Sequence, residues 1–156
     1  MSAFIFLGAF LLLLAYIEFS TPRDYMSFRE SLDLADLPIV TFKQGDVKLN
    51  LILDTGANYS IIDKEVEKSI TTETTEEYSK VIGIEGTLTF TEFKTIRFTY
   101  KDKEYEDKFQ IMDLSATIRM YKNKKGVTIH GLLGNGFMQK YKYVLDFKKM
   151  VAYSKV

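Results

Sequence analysis

The chain has 156 residues, with 21 Lys and Arg balanced by 21 Asp and Glu, so no net field draws it toward nucleic acid or an acidic surface. It has no cysteine and a single histidine, which excludes disulfides, thiolate nucleophiles and Cys- or His-rich metal centres; a Ser-His-Asp triad would have to use His130. With 46% hydrophobic and 27% charged residues it has the make-up of one globular domain with a modest core.

Residues 3–19 are nearly all apolar, interrupted by Gly8, Tyr16 and Glu18. As a helix this run would measure roughly 26 Å, a minimal span for a hydrocarbon core about 30 Å thick. The run therefore predicts an uncleaved, single-pass N-terminal transmembrane anchor over 1–19, with the membrane as a partner. A cleaved signal peptide, leaving a secreted or periplasmic protein, is the rival; it is disfavoured because no Lys or Arg precedes the run and no small-x-small site follows it. The side of the membrane is not readable, since the first basic residue, Arg23, stands beside Asp24.

Residues 20–37 read as a connector. Pro22 stops the first helix, and Ser27 with Glu30 has the spacing of a capping box for a short helix bearing Phe28, Leu32 and Leu34. Pro38 forces extended chain before it. From residue 39 the hydrophobic period becomes two. Strands are predicted at 39–42 and 47–53 about a turn at Gln44-Gly45-Asp46, with Val47, Leu49, Leu51 and Leu53 on one face. Asp54 then stands at the end of an apolar strand, where the chain turns through Gly56. A short strand at 59–62 and helical turns within 64–70 follow. The Thr/Glu-rich stretch 71–77 reads as an exposed loop, and strands are expected at 80–90, 94–100 and 105–112. Residues 114–126 read as irregular or partly helical, 127–133 as a strand, 135–140 as a helical turn, and 143–147 with 150–153 as a hairpin turning at Lys148-Lys149. Many short strands and few helices imply a mainly antiparallel β domain over 38–156.

Chemistry is concentrated in Leu51-Ile52-Leu53-Asp54-Thr55-Gly56-Ala57. Two later elements accompany it: the glycine-bracketed Gly83-Ile84-Glu85-Gly86 and the apolar-glycine run Gly131-Leu132-Leu133-Gly134-Asn135. In that order they resemble the retropepsin-like aspartic proteases of clan AA, and Gly-Leu-Leu-Gly-Asn followed by Tyr143-Val144-Leu145-Asp146-Phe147 is similar to bacterial, membrane-anchored members. The resemblance covers residues 37–154. It implies a closed β-barrel lobe with one short helix, behind the transmembrane helix. It also implies an aspartic-type endopeptidase with Asp54 as the catalytic carboxylate, requiring neither metal nor cofactor. In the family pattern Thr55, Gly56 and Ala57 support the catalytic loop, Gly83, Ile84, Glu85 and Gly86 form a flap over the peptide or protein substrate, and Leu132, Leu133 and Gly134 pack behind the loop. Ala57 departs from members with Ser there, and Glu85 from the most glycine-rich flaps. His130 reads as structural.

The physics of metal-free hydrolysis leads to the same carboxylate. A water must lose a proton while the amide gains one, and two adjacent carboxylates sharing a proton do both. The chain has one Asp-Thr-Gly and is too short for two lobes, so the second acid comes from a second copy about a two-fold axis, a homodimer. The alternative from another class is a non-catalytic dimerisation or peptide-binding module on the same fold. A phosphatase or ATPase with a nucleophilic Asp is rejected, because the βαβ pattern is missing.

Overall fold

A computed structural model describes residue 8 and residues 25–82 and 88–154. In chain order these form β1 (Tyr25–Ser27), α1 (Arg29–Ala35), β2 (Ile39–Gln44), β3 (Val47–Leu53), β4 (Ser60–Asp63), α2 (Lys64–Glu67), β5 (Glu73–Ile82), β6 (Leu88–Tyr100), β7 (Lys103–Met112), α3 (Ser115–Lys125), β8 (Gly131–Leu133), α4 (Asn135–Lys140), β9 (Tyr143–Asp146) and β10 (Val151–Ser154).

The large sheet runs β2-β3-β8-β4-β7-β6-β5, and β2 also pairs with β6 at Lys43↔Thr99. That contact closes six strands into a barrel and leaves β5 outside, bonded to β6 alone. The closure is reinforced where the Gln44 amide donates to the carbonyls of Arg97 (2.7 Å) and Thr71 (2.9 Å). A second sheet, β1-β10-β9, stands beside it.

Alternation explains the barrel wall. Leu49, Leu51 and Leu53 of β3 are buried, as are Val40 and Phe42 of β2 and Ile96 and Phe98 of β6. The interior is filled by packed aromatics: Phe42 meets Phe98 at 5.0 Å and Tyr105 at 5.9 Å edge-on, and Phe137 from α4 stacks on Phe98 at 6.0 Å. Each such ring contributes roughly 1.5–3 kcal/mol through burial. The Tyr105 hydroxyl is satisfied by that of Tyr143 at 2.6 Å. Asp63 is buried and keeps its carboxylate bonded: Oδ2 caps α2 by accepting from Glu65 N–H (3.1 Å), and Oδ1 accepts from Leu114 N–H (2.8 Å).

Several expectations need adjustment. Residues 25–37 carry β1 and α1, and Met26 and Phe28 are part of the main core. Ser27 does not cap α1: it lies in β1, and Phe28 occupies the cap position without a side-chain bond. Residues 73–77 belong to β5, and 115–125 form the full helix α3. The strand expected over 127–133 shortens to Gly131–Leu133.

The expected transmembrane helix is corrected. Among the described residues no helix is long and apolar enough to cross a membrane. The longest described helix, α3, has 11 residues, about 16 Å at helical rise against a core of about 30 Å. Membership among membrane-anchored proteins, a membrane partner and a single-pass localisation all required that helix, and they are withdrawn with it. Apart from Gly8, residues 3–19 themselves lie outside the described residues. A lobe with one short helix is likewise corrected: the barrel carries four short helices among its described residues.

Candidate active site

Topology makes an unusual loop of the chain around Asp54. Strands β3 and β4 are consecutive in sequence but not neighbours in the sheet. The chain returns some 80 residues later to slot β8 between them, parallel to β3 (Leu51↔Gly131, Leu53↔Leu133) and antiparallel to β4 (Ile61↔Leu132). The connection 54–59 must therefore straddle the end of β8.

Both ends of that connection are fastened to successive residues there. At the front, Asp54 N–H donates to the Leu133 carbonyl (3.0 Å). At the back, Gly134 N–H donates to the buried Ser60 hydroxyl (3.1 Å). The middle rests on the start of α4: Asn135 N–H donates to the Ala57 carbonyl (2.7 Å), Gly136 N–H to the Asn58 carbonyl (3.2 Å) and the Asn135 amide to the Thr55 carbonyl (2.9 Å). Only glycine allows such an approach. A Cβ on Gly134 would lie 2.6 Å from the Tyr59 carbonyl and 2.9 Å from the Ala57 oxygen, and one on Gly131 2.2 Å from the Ile61 oxygen. All of these are backbone atoms that cannot step aside.

Asp54 is half-buried at the mouth of this loop. Its Oδ1 accepts from Gly56 N–H (2.8 Å), which fixes the plane of the carboxyl group. Among the described residues Oδ2 accepts no hydrogen bond, so it is open to a water or a partner acid. Thr55 and Gly56 are exposed beside it, and Ala57 is partly buried against α4. Leu133 is buried, Leu132 is half-buried and Gly134 lies directly beneath Tyr59. Gly83, Ile84, Glu85 and Gly86 lie outside the described residues; the strands flanking them pair as far as Ile82↔Leu88.

Three further residues at the site, Ser60, Asp107 and His130, belong to no motif of the sequence. Ser60 is 1% exposed and donates to Asp107 Oδ2 at 2.5 Å. Burial of Asp107 pushes its carboxyl above the usual range, against the opposing effect of the Ser60 bond. Asn135, the last residue of the Gly-Leu-Leu-Gly-Asn run, ties the Thr55 carbonyl. His130 is half-buried just before β8; its Nδ1 accepts from Asn50 N–H (3.0 Å) and its own backbone N–H donates to the Asn50 carbonyl (2.9 Å). Burial holds its pKa below the ordinary value. Among the described residues no three His, Asp or Glu side chains gather as metal ligands.

No family model and no curated protein matches the chain. Solved structures do match. One is the protease of EIAV in complex with the inhibitor HBY-793, at 16% identity and a TM-score of 0.49, covering 71% of this chain and 93% of that one. The closed six-stranded barrel rests on this chain's own strand pairings, and no helix long and apolar enough to cross a membrane stands among the described residues to support the membrane-anchored subtype that the sequence suggested. A likeness this distant assigns no chemistry to any residue.

Proposed function

We propose that the chain is half of an aspartic endopeptidase, active as a homodimer in which two Asp54 carboxylates face each other across a two-fold axis. The observation that carries the reading is the bracing of the Asp54-Thr55-Gly56 turn on β8 and α4, with one carboxylate oxygen fixed by Gly56 N–H and the other unpartnered among the described residues. Such a rigid, half-exposed acid suits a pair that must meet in one geometry. An open cleft of about 590 Å³ beside Thr55, lined by Met138, Tyr143 and Leu145, offers apolar surface where a second copy would approach.

In the reaction, the ionised member of the pair takes a proton from a water as its oxygen attacks the scissile carbonyl carbon. The protonated member gives its proton to the carbonyl oxygen. In the collapse the ionised member takes a proton back from one hydroxyl of the tetrahedral species while the protonated member gives its proton to the departing nitrogen. The C–N bond breaks, and the dyad ends with its charge and single shared proton restored. Gly56 lets the two loops approach closely, Thr55 would brace them across the axis, and Leu132, Leu133 and Gly134 hold the loop from behind. Gly83, Ile84, Glu85 and Gly86 would cover an extended peptide. Asp54→Asn tests this: cleavage of a peptide library at mildly acid pH is expected to fall at least about a thousandfold, with self-association unchanged. Undiminished cleavage by the variant would remove Asp54 from the chemistry. Absence of cleavage by the parent would favour a non-catalytic peptide-binding module.

A further inference from the structure

The Ser60 hydroxyl stands at a junction of three strands. It is buried, it belongs to the first residue of β4, and it touches β7 through Asp107 (2.5 Å) and the end of β8 through Gly134 N–H (3.1 Å). A hydroxyl has one proton. An ionised carboxylate only accepts, so the proton must point to Asp107, and the oxygen lone pairs are then turned toward Gly134. Asp107 in this way dictates the direction of the bond that holds the rear end of the Asp54 loop. A protonated Asp107 can itself donate to Ser60, and the direction is then no longer unique.

We propose that Asp107 is a positioning residue: through Ser60 and Gly134 it sets the seat of the Asp54 loop on β8, and its ionisation switches that seat between a fixed and a loosened hydrogen-bond arrangement. Asp107 opens on a cleft of about 280 Å³. The groups with charge or a titratable proton that face it there are Lys140 of α4, Glu106 and Lys108 beside it on β7, and Tyr59 of the loop. Lys140 is oriented by donating to the Glu106 carbonyl (2.6 Å), so its positive charge stays near the carboxylate and favours the ionised form. Thr95 of β6 contributes no charge.

The catalytic consequence rests on the endopeptidase reading; the hydrogen-bond relay does not. Both are read in the full chain, labelled with nitrogen-15, across the carboxylate range of roughly pH 3 to 7. The Gly134 amide signal is expected to titrate with the same midpoint as the Asp107 carboxyl. Asp107→Asn and Ser60→Ala should abolish that response, and Ser60→Thr, which keeps the hydroxyl, should retain it. For cleavage, Asp107→Asn and Ser60→Ala should lower kcat about tenfold with KM little changed, and Asp107→Asn should remove the corresponding limb of the pH profile. A Gly134 signal indifferent to Asp107 ionisation overturns the relay, whatever the activity. A titrating Gly134 in a chain that cleaves nothing upholds the relay and overturns the endopeptidase reading instead. Equal losses of kcat and folded fraction, with an unaltered pH profile, reduce Asp107 to a structural role and overturn the proposal.

Discussion

Strand β3 is bounded by glycine-bearing turns of opposite kinds. At its start, Gly45 sits at φ +57° with open space where a Cβ would go. At its other end, the Asp54 loop rests on Gly131 and Gly134, which need no positive φ but lie against opposing backbone. The first glycine supplies a conformation and the second pair supplies proximity. The lesson is that one end of the barrel is held by local turn preference and tolerates bulk. The other is held by tertiary contact and tolerates none.

The contrast predicts a graded set of outcomes. Gly131→Ala should have the largest effect, because an added methyl 2.2 Å from the Ile61 oxygen must drive β8 away from β4. A stability loss of about 3 kcal/mol or more is expected from urea unfolding. Gly134→Ala comes next, at about 2–3 kcal/mol, and should cost cleavage more than the remaining folded fraction explains, since it lifts the Asp54 loop itself. Gly45→Ala should cost only about 1–2 kcal/mol, the penalty of a left-handed conformation, and Gly45→Asn a few tenths, with activity intact in both. If Gly45→Ala matched Gly134→Ala in either readout, the division into conformational and proximity glycines would be wrong.

His130 provides a smaller, pH-dependent probe of the tightly held end. Its folded pKa lies below the ordinary value because burial disfavours the cation, and Nδ1 must stay unprotonated to accept from Asn50 N–H. The neutral form therefore stabilises the fold above the unfolded-state pKa of about 6.5, and that contribution is lost as pH falls through the folded value. Asp107 has the opposite sign: a carboxyl raised by burial favours the fold below its ordinary pKa, and that contribution is lost as pH rises through the folded value. The urea midpoint of His130→Gln should accordingly depend less on pH below about 6.5 than that of the parent. Parallel curves would show that His130 is not the group responsible.

Legibility in the sequence followed the same division. Strand β3 and the α4 turn stand where hydrophobic period and apolar-glycine pattern put them, because each is decided by which face is buried. The start of β5 has the composition of a loop because it lies outside the closed barrel, paired with β6 alone, and Glu73 and Thr74 are exposed. Phe28 and Met26 looked like linker residues, although a three-residue strand beside β10 places them in the core. At the site, Asp54 and its glycine were legible as a motif. Ser60 and Asp107 were not, since they lie 47 residues apart and meet only because β4 pairs with β7. The apolar N-terminal run suggested a span, whereas among the described residues no helix is long and apolar enough to cross a membrane.

Subunit mixing tests the paired-acid account most directly. Parent and Asp54→Asn chains are unfolded together in equal amounts, refolded and assayed at fixed total concentration. If two Asp54 carboxylates are needed, only parent–parent pairs cleave, and activity should fall to about one quarter of the all-parent sample. Activity of one half would mean that each chain works alone, and would contradict the account.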